Sequence, residues 1–323
     1  MTRRRRGSGF TYHGADGGRV TDPETLERIE TLRIPPAWQD VWICLLPNGH
    51  LQALGTDEAG RRQYLYHEDW RLRRDKEKYH RAQGLGAGLP QLRSRLQATL
   101  SEGSGLTQER VLAAAVRLVD LGLFRNGNDE YVRANGSFGL STALREHVTV
   151  RKDSVEICFQ AKSGVLFTQE IHDPGVVEVV RALVRRKDPH PELLGWWDGD
   201  ARAWRDVRSD HVNAYLREVS RRDVTVKDFR TWHASVLMAM RLSTLDQPTS
   251  QSKRQKLLAG TYREVAGVLH NTPAVTRSSY VDPRVIDLWE AGRRIPPSPP
   301  PSEAVELVPL RSSRALTRLL RAG

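Results

Sequence analysis

The sequence predicts an α+β protein, with a small antiparallel β-sheet domain at the N-terminus and a larger, mainly helical domain that contains a β-hairpin. Three stretches carry this prediction. "VWICLLPNGHLQALGTDEAGRRQYLYH", residues 41–67, alternates short apolar runs with turn residues and holds an Asn-Gly dipeptide, which reads as strand, hairpin turn, strand, turn, strand. "TQERVLAAAVRLVDLGLF", residues 107–124, places Val111, Leu112, Ala115, Val116, Val119 and Leu123 at helical spacing behind a Thr107 cap. "VEICFQAKSGVLFTQEI", residues 155–171, alternates Val155, Ile157 and Phe159 with polar neighbours, turns at "AKSG" and resumes as a strand from Val165 to Ile171.

The remaining elements follow in order. Residues 1–20, rich in Arg and Gly, read as a flexible basic arm, and residues 21–88 as the β-rich N-terminal domain. A charged helix is expected at 66–82, and "GLGAGLP", residues 84–90, reads as a hinge leading into a catalytic domain at 89–292. Helical patterns recur at about 176–187, 209–221, 229–242, 251–269 and 284–292. Residues 293–323, with "RRIPPSPPPSE" and a short amphipathic end, read as a Pro-rich linker and a basic tail.

Fifty Lys and Arg against 39 Asp and Glu leave a net charge of +11, which points to a polyanionic partner such as nucleic acid or an acidic membrane surface. Most of this charge is arginine, suited to bidentate contact with phosphate. It gathers in "RRRR" at 3–6, "RLRRDKEKYHR" at 71–81 and "RALVRRK" at 181–187, although such side chains also serve simply to solvate helices. Two cysteines, Cys44 and Cys158, exclude a disulfide scaffold or a Cys-based zinc site and fit a reducing cytoplasm. The N-terminal arginines are followed by polar residues where an export signal needs an apolar run, and no stretch approaches the length of a membrane span. The P-loop, GxSxG, GxGxxG-after-strand, HExxH and DxDxDG patterns do not occur.

Three cationic positions stand apart from the clumps. Arg125 ends an apolar helix at a glycine turn, Lys162 occupies the hairpin tip, and Arg230 opens an apolar helix between Phe229 and Trp232. Each has an ordinary explanation in a helix dipole, a solvated turn or aromatic stacking, and Tyr280 alone reads as an amphipathic filler. Together they describe one reaction. A phenol of ordinary pKa is about one part in a thousand ionised at neutral pH, so activating it costs roughly 4 kcal/mol. Neighbouring arginines offset that cost, and they also stabilise the charge that develops on a phosphodiester under attack. A lysine supplies the proton that the departing alkoxide needs.

"GRRQYLY", "FRNGNDEYVRANGSFGLSTALREHV", "AKSG", "VKDFRTWHAS" and "HNTPAVTRSSYVDP" occur in the order and spacing of the type IB DNA topoisomerases, and the chain resembles their short poxvirus-like bacterial form over residues 22–292. The resemblance implies the fold of the type IB topoisomerase and tyrosine recombinase class. It also implies relaxation of supercoiled duplex DNA by transient cleavage of one strand, rotation and religation by a two-lobed clamp. Tyr280 matches the nucleophile that forms a 3′-phosphotyrosyl link and frees a 5′-hydroxyl, Arg125 and Arg230 the arginines on the scissile phosphate, and Lys162 the general acid. Asn271 stands where poxvirus members and tyrosine recombinases carry histidine. With His270 adjacent, the register rests on the nine-residue spacing from Asn271 to Tyr280 and on the asparagine of bacterial members.

By the same matching Gln63, Tyr64 and Tyr66 enter the DNA major groove, where Gln reads an adenine edge, and Tyr131 and Lys227 contact phosphates. His233 reads as helix packing. The resemblance further implies double-stranded DNA as partner, no ATP, metal or other cofactor, no membrane contact, a monomer, and a cytoplasmic, nucleoid-associated location. Two alternatives remain: a tyrosine-recombinase-like strand transferase and a non-catalytic basic DNA-binding protein.

Overall fold

The structure is a computed structural model that describes residues 1–127, 132, 136–161, 164–297 and 308–322. The chain divides into two compact units, Met1–Lys78 and Tyr79–Gly323.

The first unit is built on a five-stranded antiparallel sheet. Its strands are β1 (Thr2–Arg6), β2 (Gly9–His13), β3 (Gln39–Ile43), β4 (Leu51–Thr56) and β5 (Arg62–Tyr66), in the order β2-β1-β3-β4-β5. Helix α1 (Pro23–Thr31) is capped by Asp22, whose carboxylate accepts from the Thr25 backbone N–H at 2.9 Å. Ile29, Val41, Ile43 and Ala53 form the core. The Asn-Gly turn is organised by buried Gln52, whose amide donates to the carbonyls of Leu46, Pro47 and Gly49 while its oxygen accepts from Arg28.

Residues 1–20 are not a flexible arm. β1 and β2 form a hairpin on the edge of the sheet, with Thr2 paired to Trp42. The guanidinium of Arg3 donates to the carbonyls of Pro35 at 3.0 Å and Trp38 at 2.6 Å and lies over the Phe10 ring. Composition suggests a solvated arm, but pairing along the strand and one anchored arginine overrule it.

Helix α2 (Glu68–Glu102), most of which belongs to the second unit, carries the glycine-rich stretch inside it, so the expected hinge at 84–90 is helix. The glycines serve close approach, as at Gly86, where an added Cβ would lie 2.0 Å from Cε2 of Trp232. Next come α3 (Gln108–Gly122) and the antiparallel sheet β6 (Val148–Val150), β7 (Val155–Gln160) and β8 (Leu166–Ile171), in the order β6-β7-β8. Thr107 caps α3 as its sequence predicts, and Val155, Ile157 and Phe159 point into the core.

Helix α4 (Pro174–Arg185) leads to a hairpin, β9 (Gly195–Asp198) and β10 (Ala203–Asp206), which periodicity does not reveal. Helices α5 (Ser209–Ser220), α6 (Val226–Ser243) and α7 (Gln251–Val268) follow. A short turn at Pro273–Val275 continues as a π-helical turn, Thr276–Tyr280, before α8 (Pro283–Glu290). Helices α3 and α6 are buried nearly all round, which makes them the central pair of this unit.

The C-terminal segment also departs from expectation. Residues 298–307, in the middle of the Pro-rich stretch, lie outside the described residues. Beyond them α9 (Leu310–Arg321) is not a tail: Leu316 and Leu320 enter the core, and Trp232 Nε1 donates to Ser313 Oγ at 2.9 Å. A basic amphipathic sequence docks as core helix when its apolar stripe finds a partner. No described helix is long and apolar enough to cross a membrane.

Candidate active site

The ends of α3, α6 and α7 converge. Leu123 closes α3 in the left-handed region at φ 54°, which turns its carbonyl toward α6. Helix α6 starts at Thr225, whose N–H and hydroxyl both donate to the Asp228 carboxylate in a capping box. That start places Arg230 one turn in. Its guanidinium donates to the carbonyl of Leu123 and, at 2.6 Å, to that of Leu269, and the residue is 1% exposed.

Helix α7 ends in a Schellman arrangement. His270 adopts φ 48°, its N–H bonds the Gly267 carbonyl, and the Asn271 N–H reaches back to the Ala266 carbonyl at 2.9 Å. Arg125, just past the end of α3, donates to the His270 carbonyl at 3.2 Å and to Asn271 Oδ1 at 2.5 Å. Two guanidiniums thus meet at a helix C-terminus, where exposed carbonyls favour cations. Neither has a carboxylate partner among the described residues.

Tyr280 ends the π-helical turn, in which the Val281 N–H bonds the Thr276 carbonyl at 3.1 Å. Ser235 of α6 fixes this exit, donating to the Tyr280 carbonyl and accepting from the Asp282 N–H at 2.9 Å. The phenol ring is half-buried, and the guanidinium carbon of Arg230 lies 5.2 Å from its centroid.

Burial pushes the Tyr280 phenol up, but Arg230, then Arg125 and Lys227, more than offset it, so the phenol ionises below its ordinary value. Burial and Arg125 together push Arg230 down to about 10 against the opposing pull of Tyr280. His270 is also lowered, by burial first and then by the two arginines. In all three the neighbouring arginine charge acts in the same downward sense, added to burial at Arg230 and His270 and opposed to it at Tyr280.

Two donors here are buried without a partner, Arg230 Nε and Asn271 Nδ2. The Asn271 amide cannot be reversed without setting its NH2 against the Arg125 NH2, donor against donor. One end of the amide is therefore held by Arg125 and the other is left to donate.

Of the residues singled out in the sequence, Arg125, Arg230, Asn271 and Tyr280 are brought together, with Lys227 on the exposed first turn of α6 close enough to act on the phenol. Lys162 and Tyr131 lie outside the described residues. On β5, Tyr64 and Tyr66 are 48% and 49% exposed, and their rings stack 6.2 Å apart. Gln63 belongs to the opposite face by strand alternation, and its amide donates to Asp57 at 2.8 Å. The three are not on one face.

Sequence pattern does not reveal the support behind Arg230. His233, one turn further along α6 and fully buried, sets Nε2 3.0 Å from Asp120 Oδ1. Asp120 also receives Arg93 at 2.7 and 2.9 Å and Arg117 at 2.7 Å. The Arg230–Leu123 and His233–Asp120 contacts form two rungs between α6 and α3, each pair of residues one helical turn apart. The signal available was an aspartate within the apolar run "RLVDLGLF", since a buried carboxylate demands partners.

Comparison with known proteins identifies the family. The family described as eukaryotic DNA topoisomerase I, catalytic core, matches residues 67–287, and the bacterial DNA topoisomerase IB N-terminal domain matches residues 9–57. The chain is 28% identical over 293 residues to the protein named DNA topoisomerase 1B of Acanthamoeba polyphaga mimivirus, a match covering 89% of this chain and 87% of that protein. With the catalytic-core match spanning most of the chain and the N-terminal match preceding it, this chain belongs to the type IB DNA topoisomerases.

Proposed function

We propose that the enzyme relaxes supercoiled duplex DNA with Tyr280 as nucleophile. The phenolate oxygen attacks the scissile phosphorus, the bond from phosphorus to the 5′ oxygen breaks, and the strand is held as a 3′-phosphotyrosyl ester. The departing 5′ oxygen takes a proton, for which Lys162 is the assigned donor. After rotation the 5′-hydroxyl attacks the ester, its proton returns to the lysine, and Tyr280 leaves.

Arg125, Arg230 and the Asn271 NH2 are the groups we assign to the non-bridging oxygens, where charge builds in the transition state. The observation that carries this reading is Arg230: a guanidinium 1% exposed, tied to two main-chain carbonyls, with no carboxylate partner among the described residues and its charge against Tyr280. Burying such a cation without a counter-charge is costly, and a phosphodiester supplies that charge.

The ester conserves the energy of the broken bond, so the cycle requires no ATP, and fixed guanidiniums take the part that a divalent ion plays elsewhere. The stacked Tyr64 and Tyr66 are the assigned groove contacts on the N-terminal sheet, while Gln63, on the opposite face of β5 and bonded to Asp57, is not grouped with them. Tyr131 and Lys227 are assigned to phosphates. Rotation about a nick needs one copy of the protein.

The test is relaxation of a supercoiled plasmid in EDTA without ATP, with denaturant trapping of the covalent adduct. Wild type should relax the plasmid and form the adduct, and Tyr280→Phe should do neither. An adduct that persists in the phenylalanine variant overturns the nucleophile. A requirement for ATP or metal overturns the cycle, and obligatory exchange between two DNA molecules would make the enzyme a recombinase.

A further inference from the structure

Helix α9 has two unlike faces. Ser312, Ser313, Leu316, Thr317 and Leu320 are buried, whereas Arg311, Arg314, Arg318 and Arg321 are all exposed. At 100° per residue the four arginines fall within an arc of about 80°, opposite the buried side, and they extend over about 15 Å. Residues 308–322 contain no acidic side chain, and none of the four guanidiniums is hydrogen-bonded or ion-paired among the described residues. A helix that merely covers a core tends to carry both signs on its outer face.

The position of the stripe separates it from the reacting groups. Trp232, which holds Ser313 of α9, lies two residues after Arg230, about 200° around α6. Arg230 faces the carbonyls of Leu123 and Leu269 and the Tyr280 ring. Helix α9 therefore covers a side of α6 turned away from the Arg230 guanidinium, and its arginines point outward from there.

We infer that α9 is a second DNA-docking surface, which grips the backbone of a duplex segment other than the one held at Tyr280. Duplex DNA carries one negative charge per about 1.7 Å of axis, so a stripe of this length meets several phosphates. Arginine suits them through its planar fork. An anionic membrane would offer similar charge, but amphipathic helices enter bilayers by their apolar face, and that of α9 is already occupied by the core. The inference rests on the reading of this chain as a DNA enzyme, for which a supercoiled substrate brings distant segments to a crossing.

The experiment uses the full chain carrying Tyr280→Phe, bound to an immobilised duplex and offered a second, labelled duplex of unrelated sequence. Three forms are compared: the stripe intact, all four arginines changed to glutamine, and all four changed to lysine. The intact and lysine forms should retain the second duplex. The glutamine form should lose about tenfold or more of it while binding the first duplex within about twofold, and capture should weaken with salt with a slope of up to about −3.6 for four phosphates.

Equal capture by the glutamine form overturns the inference. So does a parallel fall in affinity for the first duplex, which would assign the stripe to the same DNA, and so does capture of phosphatidylserine vesicles in place of the second duplex. Failure of all three forms to bind even the immobilised duplex would instead sink the DNA reading, and this inference with it.

Discussion

Arg125 donates to the side-chain oxygen of Asn271 at 2.5 Å, and that one contact decides which end of the amide faces the reacting groups. With Oδ1 occupied, Nδ2 is left buried and unpaired, a neutral donor beside two guanidiniums. The left-handed turn at His270 meanwhile sets its imidazole against Phe167, with ring centroids 4.5 Å apart.

Asn271→Ala should therefore slow cleavage about tenfold to a thousandfold, the scale of losing one transition-state donor. His270→Ala, which removes a packed ring, should cost far less. Single-turnover cleavage rates on one duplex decide the matter, and the reverse ranking would move the phosphate contact to residue 270.

Removing a cation near Tyr280 should make its phenol harder to ionise. Burial pushes the phenol up and Arg230, Arg125 and Lys227 pull it down, so Lys227→Gln subtracts from the downward side and the pKa climbs. If the phenolate is the attacking species, the acid limb of the cleavage profile moves to higher pH with it. Ultraviolet difference titration against Tyr280→Phe reads the phenol directly, and an unmoved titration in the lysine variant would contradict the cause assigned.

Lys162→Ala should slow cleavage severely on ordinary DNA and recover on a substrate whose 5′ leaving group is a thiolate, which departs without a proton. Comparing the two substrates isolates proton donation from positioning. If the thiolate substrate stays slow, Lys162 is not the acid.

The Asp120 cluster predicts acid sensitivity of the fold. Burial alone would raise this carboxyl, but Arg93 and then His233 hold it well below the usual carboxylate range. A depressed folded pKa contributes stability that is complete above the unfolded value near 4 and is lost as pH falls below it. Asp120→Asn should cost about 3–5 kcal/mol at neutral pH by removing the buried charge that faces Arg93 and Arg117, and should flatten the acid limb. Urea unfolding across pH measures both effects, and a variant as acid-sensitive as wild type would locate the titration elsewhere.

Gly86→Ala should destabilise the protein by about 1–3 kcal/mol, because the methyl group would enter the Trp232 ring and force a core shift. A flexible hinge would be tightened, not damaged, by the same change. Thermal unfolding separates the two, and a raised midpoint would restore the hinge.

What the sequence made legible was whatever depends on local period or on motif. The Thr107 cap, the alternation of Val155, Ile157 and Phe159 and the strands around Asn48-Gly49 are written in neighbouring residues, and the structure has them there. Arg125, Arg230, Asn271 and Tyr280 were found by motif and lie together.

What stayed hidden depends on contacts between distant residues. "GLGAGLP" looks like a linker until Trp232 is seen against Gly86, and "RRRR" looks like a solvated arm until Arg3 meets the carbonyls of Pro35 and Trp38. His233 offers only a histidine among apolar neighbours, while its meaning lies 113 residues away in Asp120.

The way Arg230 is moored has a consequence for how this enzyme can vary. Its two ties go to main-chain oxygens, at Leu123 and Leu269, and every amino acid has such an oxygen. Side-chain changes at those two core leucines would be felt as lost packing, not as a lost tie, whereas a one-residue insertion in either helix would unseat the guanidinium itself. The lengths of the two helices thus set the position of this cation, while the leucine side chains at its moorings serve the core.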